Sequence, residues 1–210
     1  MGEGRLSGAS APHLKHANLP QAAQEAAFLD ILWRDPLVCQ ALERARGMNL
    51  PDWWLVSGIL YNTVWNHLTC RPSGHGIKDI DLFYFDNSDH SYVAEGAVIK
   101  RGEAVFAGLA VPVEIRNQAR VHLWFERRFG APYPQLKSGS DGVSFFASKA
   151  HAVAVRLEAD GELRLHAPFG LNDVFSFRLT PNHALNNRAT HHAKAKRQMK
   201  LWPELELTPW

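Results

Sequence analysis

Residues 53–86 read WWLVSGILYNTVWNHLTCRPSGHGIKDIDLFYFD, and the fold class turns on how this stretch divides. WWLVSG is short, aromatic and β-branched, the composition of a buried strand. ILYNTVWNHL then returns to helical spacing through Ile59, Leu60, Val64, Trp65 and Leu68. CRPSGHG is a loop by its Pro and Gly content, and KDIDLFYFD is a second strand that ends in the turn signal DNSD. Strand, turn, helix, loop and strand form the unit around which the rest is arranged.

Upstream, Ala23, Ala27, Phe28 and Ile31 recur at helical spacing over 21–34, and Asp35-Pro36 opens a second helix with a favoured first-turn proline. Residues 1–20, rich in Gly, Ser, Ala and Pro without an apolar period, are expected to form a loose tail outside a single domain spanning 21–207. Downstream, the pattern predicts a helix over 91–108, a strand at VPVEI, and a helix over NQARVHLWFERRFG. A loop follows over 131–142. HAVAVRLEADGELRLHAP reads as a hairpin turning at Asp160-Gly161, and a helix is expected over 181–200, before Pro203. Alternating elements of this kind imply an α/β (α+β) fold, a mixed sheet flanked by helices.

With 210 residues the chain is long enough to bury a full core, and 46% hydrophobic with 21% charged residues excludes wholesale disorder. A net charge of +2 implies no polyanionic partner by itself. Cys39 and Cys70 lie far apart, so neither a disulfide framework nor a zinc site is suggested. No apolar run approaches a membrane span and no secretory leader is recognisable, so a soluble protein of the reducing cytoplasm is expected.

In a strand, alternate side chains share a face, so Asp79 and Asp81 project together with Cα atoms roughly 6–7 Å apart. Among Ile80, Leu82, Phe83 and Phe85 two like charges are costly unless a cation neutralises them, and hard oxygen donors favour Mg²⁺ or Mn²⁺. A solvated strand end beside Lys78 is the alternative. Glu114 alternates with Val113 and Ile115 on a second strand, where it could join the pair or simply form an exposed pair with Arg116. Three carboxylates from two strands could hold two metal ions, one for an attacking hydroxyl and one for a triphosphate. Ser57 reads as an N-cap with Gly58 allowing close backbone approach, and the helix N-terminus behind them suits phosphate.

SGILYNTVWN, KDIDLFYFD, VEIRNQARVHLWF, GLNDVFSFRLTPN and LWPEL, taken together, resemble a bacterial family of nucleotidyltransferases in the polymerase-beta-like superfamily over about residues 25–207. The resemblance implies that Asp79, Asp81 and Glu114 are the catalytic metal carboxylates and that Gly58 is the glycine of the nucleotide-binding turn. It implies a magnesium- or manganese-dependent transfer of a nucleoside monophosphate from an NTP to an acceptor, which could be a small molecule, RNA or protein. Two departures stand out. Ile59 follows Gly58 where the superfamily usually offers a second small residue, and Tyr61 precedes Asn62 where the family often has arginine. Phosphate contact then rests on Ser57 and backbone amides, with Asn62 and Lys78 as further candidate nucleotide contacts.

Asn117, Arg120 and Trp124 recur at helical spacing beyond Glu114, so Arg116, Asn117 and Arg120 are candidate nucleotide contacts, with Gln118 able to meet a ribose or base edge. Asn117 could equally cap this helix, and His122 reads as a satisfied histidine. Arg188, Lys194, Lys196, Arg197 and Lys200 form the one marked basic run, fit for phosphate or for a solvated helix face. The function outside catalysis would be a nucleotide- or RNA-binding protein, or the inactive partner of a two-protein module, that keeps the fold.

Overall fold

A computed structural model describes residues 11–210; the expected tail therefore lies outside the described residues over 1–10. A five-stranded sheet has the order β3-β2-β1-β4-β5, with β1 Trp54–Val56, β2 Ile80–Tyr84, β3 Val113–Asn117, β4 Ala154–Leu157 and β5 Leu163–His166. β2 and β3 are parallel, and every other pairing in the sheet is antiparallel. Parallel neighbours need a crossover, which is supplied by α4 Tyr92–Val105. The sheet is mixed and helices flank it, as the sequence predicts.

The helices begin where the sequence signals them. α1 spans Gln21–Trp33, and α2 Pro36–Gly47 starts with the Asp35 carboxylate accepting from the amides of Leu37 and Val38 at 3.0 and 3.1 Å. α3 Gly58–Leu68 follows β1 directly, and Ser91 Oγ caps α4 by accepting from the Ala94 amide at 3.1 Å. Together they bury one face of the sheet, where Leu55, Ile80, Leu82, Tyr84, Ile115 and Val155 meet Phe28, Leu42, Leu60 and Trp65. The other face carries a smaller cluster of Trp54, Val56, Val143, Ala152 and Ala154, with Phe83 and Phe146 against it. Alternation along β2 therefore puts Asp81 and Phe83 on the face that the helices leave open.

Three expectations are corrected. Residues 11–20 are not a loose tail: a 3-10 turn at Pro12–Leu14 sets the His13 ring edge-on to Phe177 at 4.9 Å, and the Asn18 amide donates to Asn172 Oδ1 at 2.8 Å. The single helix expected over NQARVHLWFERRFG is a 3-10 segment, Gln118–Leu123, followed by the short α5, Phe125–Phe129. Gln118, Ala119, Arg120 and Val121 are all buried in succession, so the segment carries no amphipathic stripe of α-helical period. The helix expected from 181 starts only at Arg188, because the Asn182 amide donates to Ala147 O and its side chain to Ser144 O and Phe146 O.

That last helix, α7 Arg188–Leu201, is anchored at its end by Trp202, which is fully buried. The Trp202 ring lies 5.4 Å from Trp65, and its Nε1 donates to Asn66 Oδ1 at 3.0 Å. The loop before β2 comes so near that a Cβ at Gly76, whose φ is +71°, would stand 2.4 Å from the indole. Beyond it, β7 Glu206–Leu207 pairs in parallel with β6 Arg178–Leu179, after the short α6 Asn172–Phe175. Trp202→Ala is expected to cost roughly 3–5 kcal/mol in urea unfolding. Trp33→Ala, at a site 48% exposed, should stay within about 0.5 kcal/mol of the parent. Equal losses in the two variants would contradict this anchoring role.

Candidate functional site

The open sheet face brings the acidic residues together through register. Asp81 pairs with Glu114 across β2 and β3 and with Val56 across β1 and β2, so these three side chains share one face. Asp79, two residues earlier, precedes β2 on the same side. An open pocket of about 610 Å³ is lined by Asp79, Asp81 and Glu114 together with Ser57, Gly58, Asn62 and Lys78. From across the pocket come Lys194 and Arg197 of α7 and Arg128 of α5.

At the β1–α3 turn Ser57 is not an N-cap as expected. Its φ of 60° and ψ of −121° lie outside the regions that residues with a side chain favour, and its hydroxyl makes no cap bond. Ser57 O instead accepts from the amides of Leu60 and Tyr61. The first amides of α3 are thus left without helical partners, at the positive end of the helix. Asn62 is 2% exposed, lines the pocket, and has an Oδ1 with no hydrogen-bond partner among the described residues.

α7 is held against α3 by a buried polar chain. Gln198 Nε2 donates to the Tyr61 hydroxyl at 3.0 Å, and Gln198 Oε1 meets His151 Nε2 at 2.9 Å. The His151 ring stacks on Tyr61 with centroids 4.6 Å apart. Burial keeps the His151 pKa well below its usual value, aided by the charges of Lys194, His191 and Arg197, and burial pushes the Tyr61 phenol up to about 12. Both stay neutral, as a dry hydrogen-bonded contact requires. On the same helix Lys194, one turn before Gln198, and Arg197, the residue before it, line the pocket with the acids.

Two expected nucleotide contacts stand elsewhere. Asn117 caps the 3-10 segment, its Oδ1 accepting from Ala119 N and Asp86 N while its Nδ2 donates to Asp86 O at 2.8 Å. Arg120 is buried, paired with Glu95 and stacked 4.1 Å from the Tyr92 ring. Neither lines the acidic pocket, because their polar groups already serve the α4–β3 contact. Arg116 stands at its margin, with Nη2 3.2 Å from Glu114 Oε2. Tyr61, Gly76, Arg128 and Ala193 are the lining residues that the sequence did not single out as contacts, and nothing in ERRF distinguishes Arg128 from Arg127.

Burial pushes the Asp81 carboxyl up to about 6, with Asp79 and Glu114 raising it and Lys194 and Arg116 pulling it down. Burial likewise lowers the Lys194 ammonium, against the pull of Asp81 and Asp79. The all-oxygen donor set of Asp79, Asp81 and Glu114 suits a hard divalent cation, which would relieve the like-charge repulsion that raises Asp81. The carboxylates are not gathered in advance: among the described residues no three His, Cys, Asp or Glu side chains stand close enough to enclose an ion, and Glu114 leans on Arg116. No helix among the described residues is long and apolar enough to cross a membrane.

A mixed sheet with helices on one face, an acid row on the other and a glycine turn leading into a helix defines a nucleotidyltransferase fold of the polymerase-beta type. The profile described as Nucleotidyltransferase matches residues 43–207, and the chain belongs to that family. A solved NMR structure, described as revealing a CCA-adding enzyme head domain, shares the fold: it is 22% identical, with a TM-score of 0.70 over 94% of this chain and 100% of that one. None of the curated proteins compared with the chain matches it.

Folded Asp81 keeps its proton to about pH 6, whereas the unfolded chain releases it near 3.8, so the folded state binds more protons in between and stability falls as pH rises across that window. Above it the charged Asp81 costs on the order of 2–3 kcal/mol. Asp81→Asn should therefore raise the melting midpoint at pH 8 by roughly 4–10 °C and leave it nearly unchanged at pH 4. Differential scanning calorimetry at both pH values measures this, and an equal shift at each would refute the buried-charge account.

Proposed function

We propose that this pocket transfers a nucleoside monophosphate from an NTP to an acceptor, with Asp79, Asp81 and Glu114 as its catalytic carboxylates. The single observation that carries this is the register pairing of Asp81 with Glu114 beside Asp79, opposite Lys194 and Arg197 in the same pocket. Acids grouped on one wall and bases on the other suit a substrate that is itself polyanionic but arrives with divalent cations.

The residues divide the work by chemistry. The unpartnered amides at the start of α3 donate to phosphate oxygens, and Ser57-Gly58 lets the chain approach closely. Lys194 and Arg197 neutralise the β- and γ-phosphates, with Lys78 and Arg128 at the rim, since charged donors bind phosphate oxygens about twice as strongly as neutral ones. Asn62 Oδ1, which has no partner among the described residues, can accept from a ribose hydroxyl. Asp79, Asp81 and Glu114 would hold one or two Mg²⁺ or Mn²⁺ ions. Bound there, the ions supply charge neutralisation and alignment of the triphosphate. Positioning and electrostatic stabilisation then account for most of the rate.

A second role, binding nucleotide or RNA without catalysis, is favoured by one observation: the Glu114 carboxylate is occupied by Arg116. Labelled NTPs, Mg²⁺ or Mn²⁺, and an extract of small-molecule and RNA acceptors separate the two. Transfer of label from the α-phosphate, abolished in Asp81→Ala, is expected. Metal-independent NTP binding that persists in an Asp79→Ala, Asp81→Ala double variant, without transfer, would establish the binding role instead.

Removing a cation that contacts the phosphates costs roughly 1.5–3 kcal/mol. Lys194→Met should therefore raise KM for NTP about tenfold to a hundredfold. Lys196→Met, exposed on the same helix, should leave KM unchanged. Steady-state kinetics on both variants checks the assignment, and equal effects would sink it.

A further inference from the structure

The open sheet face continues past the acids into a second cavity, of about 370 Å³. It is walled by Phe83, Trp124, Phe125, Phe129, Tyr133 and Phe146. The Phe125 ring lies 4.3 Å from Tyr133 and 4.6 Å from Phe129, and Phe83 lies 6.0 Å from Phe146. Cavities of this size, mostly apolar with few polar groups, are typical of small-molecule sites.

Register decides which part of a reaction this cavity could serve. Val56 pairs with Asp81 and Trp54 with Phe83, so the antiparallel continuation of β1 puts the Ser57-Gly58 turn on the Asp79 side of Asp81. Phe83 lies about 7 Å along β2 in the opposite direction. Lys194 lines both spaces, so they adjoin. In-line displacement holds the entering oxygen and the departing pyrophosphate on opposite sides of the α-phosphorus. With pyrophosphate at the turn, the entering oxygen comes from the Phe83 side.

We propose that the ring-lined cavity is the acceptor subsite and that the acceptor is a small aromatic or heteroaromatic alcohol, an inference that rests on the nucleotidyl-transfer function proposed above. The hydroxyl oxygen of the acceptor forms a bond to the α-phosphorus. The bond from that phosphorus to the oxygen bridging the α- and β-phosphates breaks, pyrophosphate leaves with the electron pair, and the hydroxyl proton passes to water. Asn187 adds selectivity: its Nδ2 donates to Phe145 O at 3.3 Å, while its Oδ1, buried in the cavity lining, has no partner among the described residues. A ring N–H or amino group would satisfy that acceptor. Single-stranded RNA, by contrast, needs a cationic track along its backbone, and only Arg116 and Lys194 bring charge to this lining.

The test is a ¹⁹F NMR titration of the full chain with 4-fluorobenzyl alcohol and 5-fluorotryptophol, with and without a non-hydrolysable ATP analogue and Mg²⁺. Saturable binding of at least one probe is expected, and it should persist when the analogue is saturating. Ala189 is exposed on α7 and lines the cavity, so Ala189→Trp should fill it and weaken probe binding at least tenfold. Phe129 is 56% exposed, and Phe129→Ala should weaken binding about threefold to tenfold without threatening the fold. Analogue affinity should be unchanged in both variants. The proposal is overturned if neither probe binds at about 10 mM, if both variants bind like the parent, or if the analogue displaces the probe, which would make the cavity a nucleobase site. Displacement of the probe by a short oligoribonucleotide at micromolar concentration would overturn it in favour of RNA. Probe binding to a chain that binds no analogue would remove the nucleotidyl-transfer function and the acceptor role with it, a pattern distinct from the others.

Discussion

The parallel pairing of β2 with β3 is the contact on which the acidic row depends. A slip of one residue would turn every side chain of β3 over, sending Glu114 to the helical face and Ile115 to water. Three features oppose that slip. Ile115 is buried under α4, which approaches so closely that a Cβ at Gly102 would stand 2.1 Å from Ile115 Cδ1. Glu95, also on α4, accepts from the Asn117 backbone amide at 2.9 Å and so fixes the end of β3. Arg120 then neutralises Glu95 in a buried pair, where removal of either partner would strand the other charge. Arg120 acts on the acids through register, from the far side of the sheet.

Once the acids are aligned, their field sets the demands on everything opposite. Asp81 is raised by burial and by its acidic neighbours, and Lys194 is lowered by burial although Asp81 and Asp79 favour its charge. Each wall is strained by desolvation, and among the described residues no ion pair within 4 Å closes the gap between Asp81 and Lys194. A triphosphate with divalent cations, the substrate proposed above, would supply the missing charge of both signs, making a site that is costly in the free protein favourable in the complex.

Much of this is legible in the chain. The period-2 pattern of IDLFY assigns the faces of β2, so strand alternation alone is enough to put Asp79 and Asp81 side by side. Glu114 is harder, because alternation says which way it points but not which strand lies beside it; motif resemblance supplies its place. Asn117 and Arg120 escape a reading by helical spacing because the segment that carries them is a buried 3-10 turn, and because the partner of Arg120 lies on another helix, at Glu95. The basic run is legible as composition only. Burial of Ala195 and Gln198 selects Lys194 and Arg197 for the pocket and leaves Lys196 and Lys200 exposed. Apolar packing of His13 and His16 on Phe177 and Phe175 draws in residues whose composition is that of a tail, since histidine reads as polar in a sequence.

Tyr61, on α3 in the lining of the acidic pocket, has a structural role. An arginine on α3 would bring its charge from inside the fold, whereas Tyr61 is 2% exposed and carries none. Its hydroxyl instead receives Gln198 Nε2 at 3.0 Å, joining α7 to α3. That contact fixes the rotation of α7. With Gln198 turned inward to Tyr61, Arg197 and Lys194, one and four residues earlier, fall on the side that meets the acids. The α7 cations of the pocket thus take their position from a neutral, buried hydrogen bond.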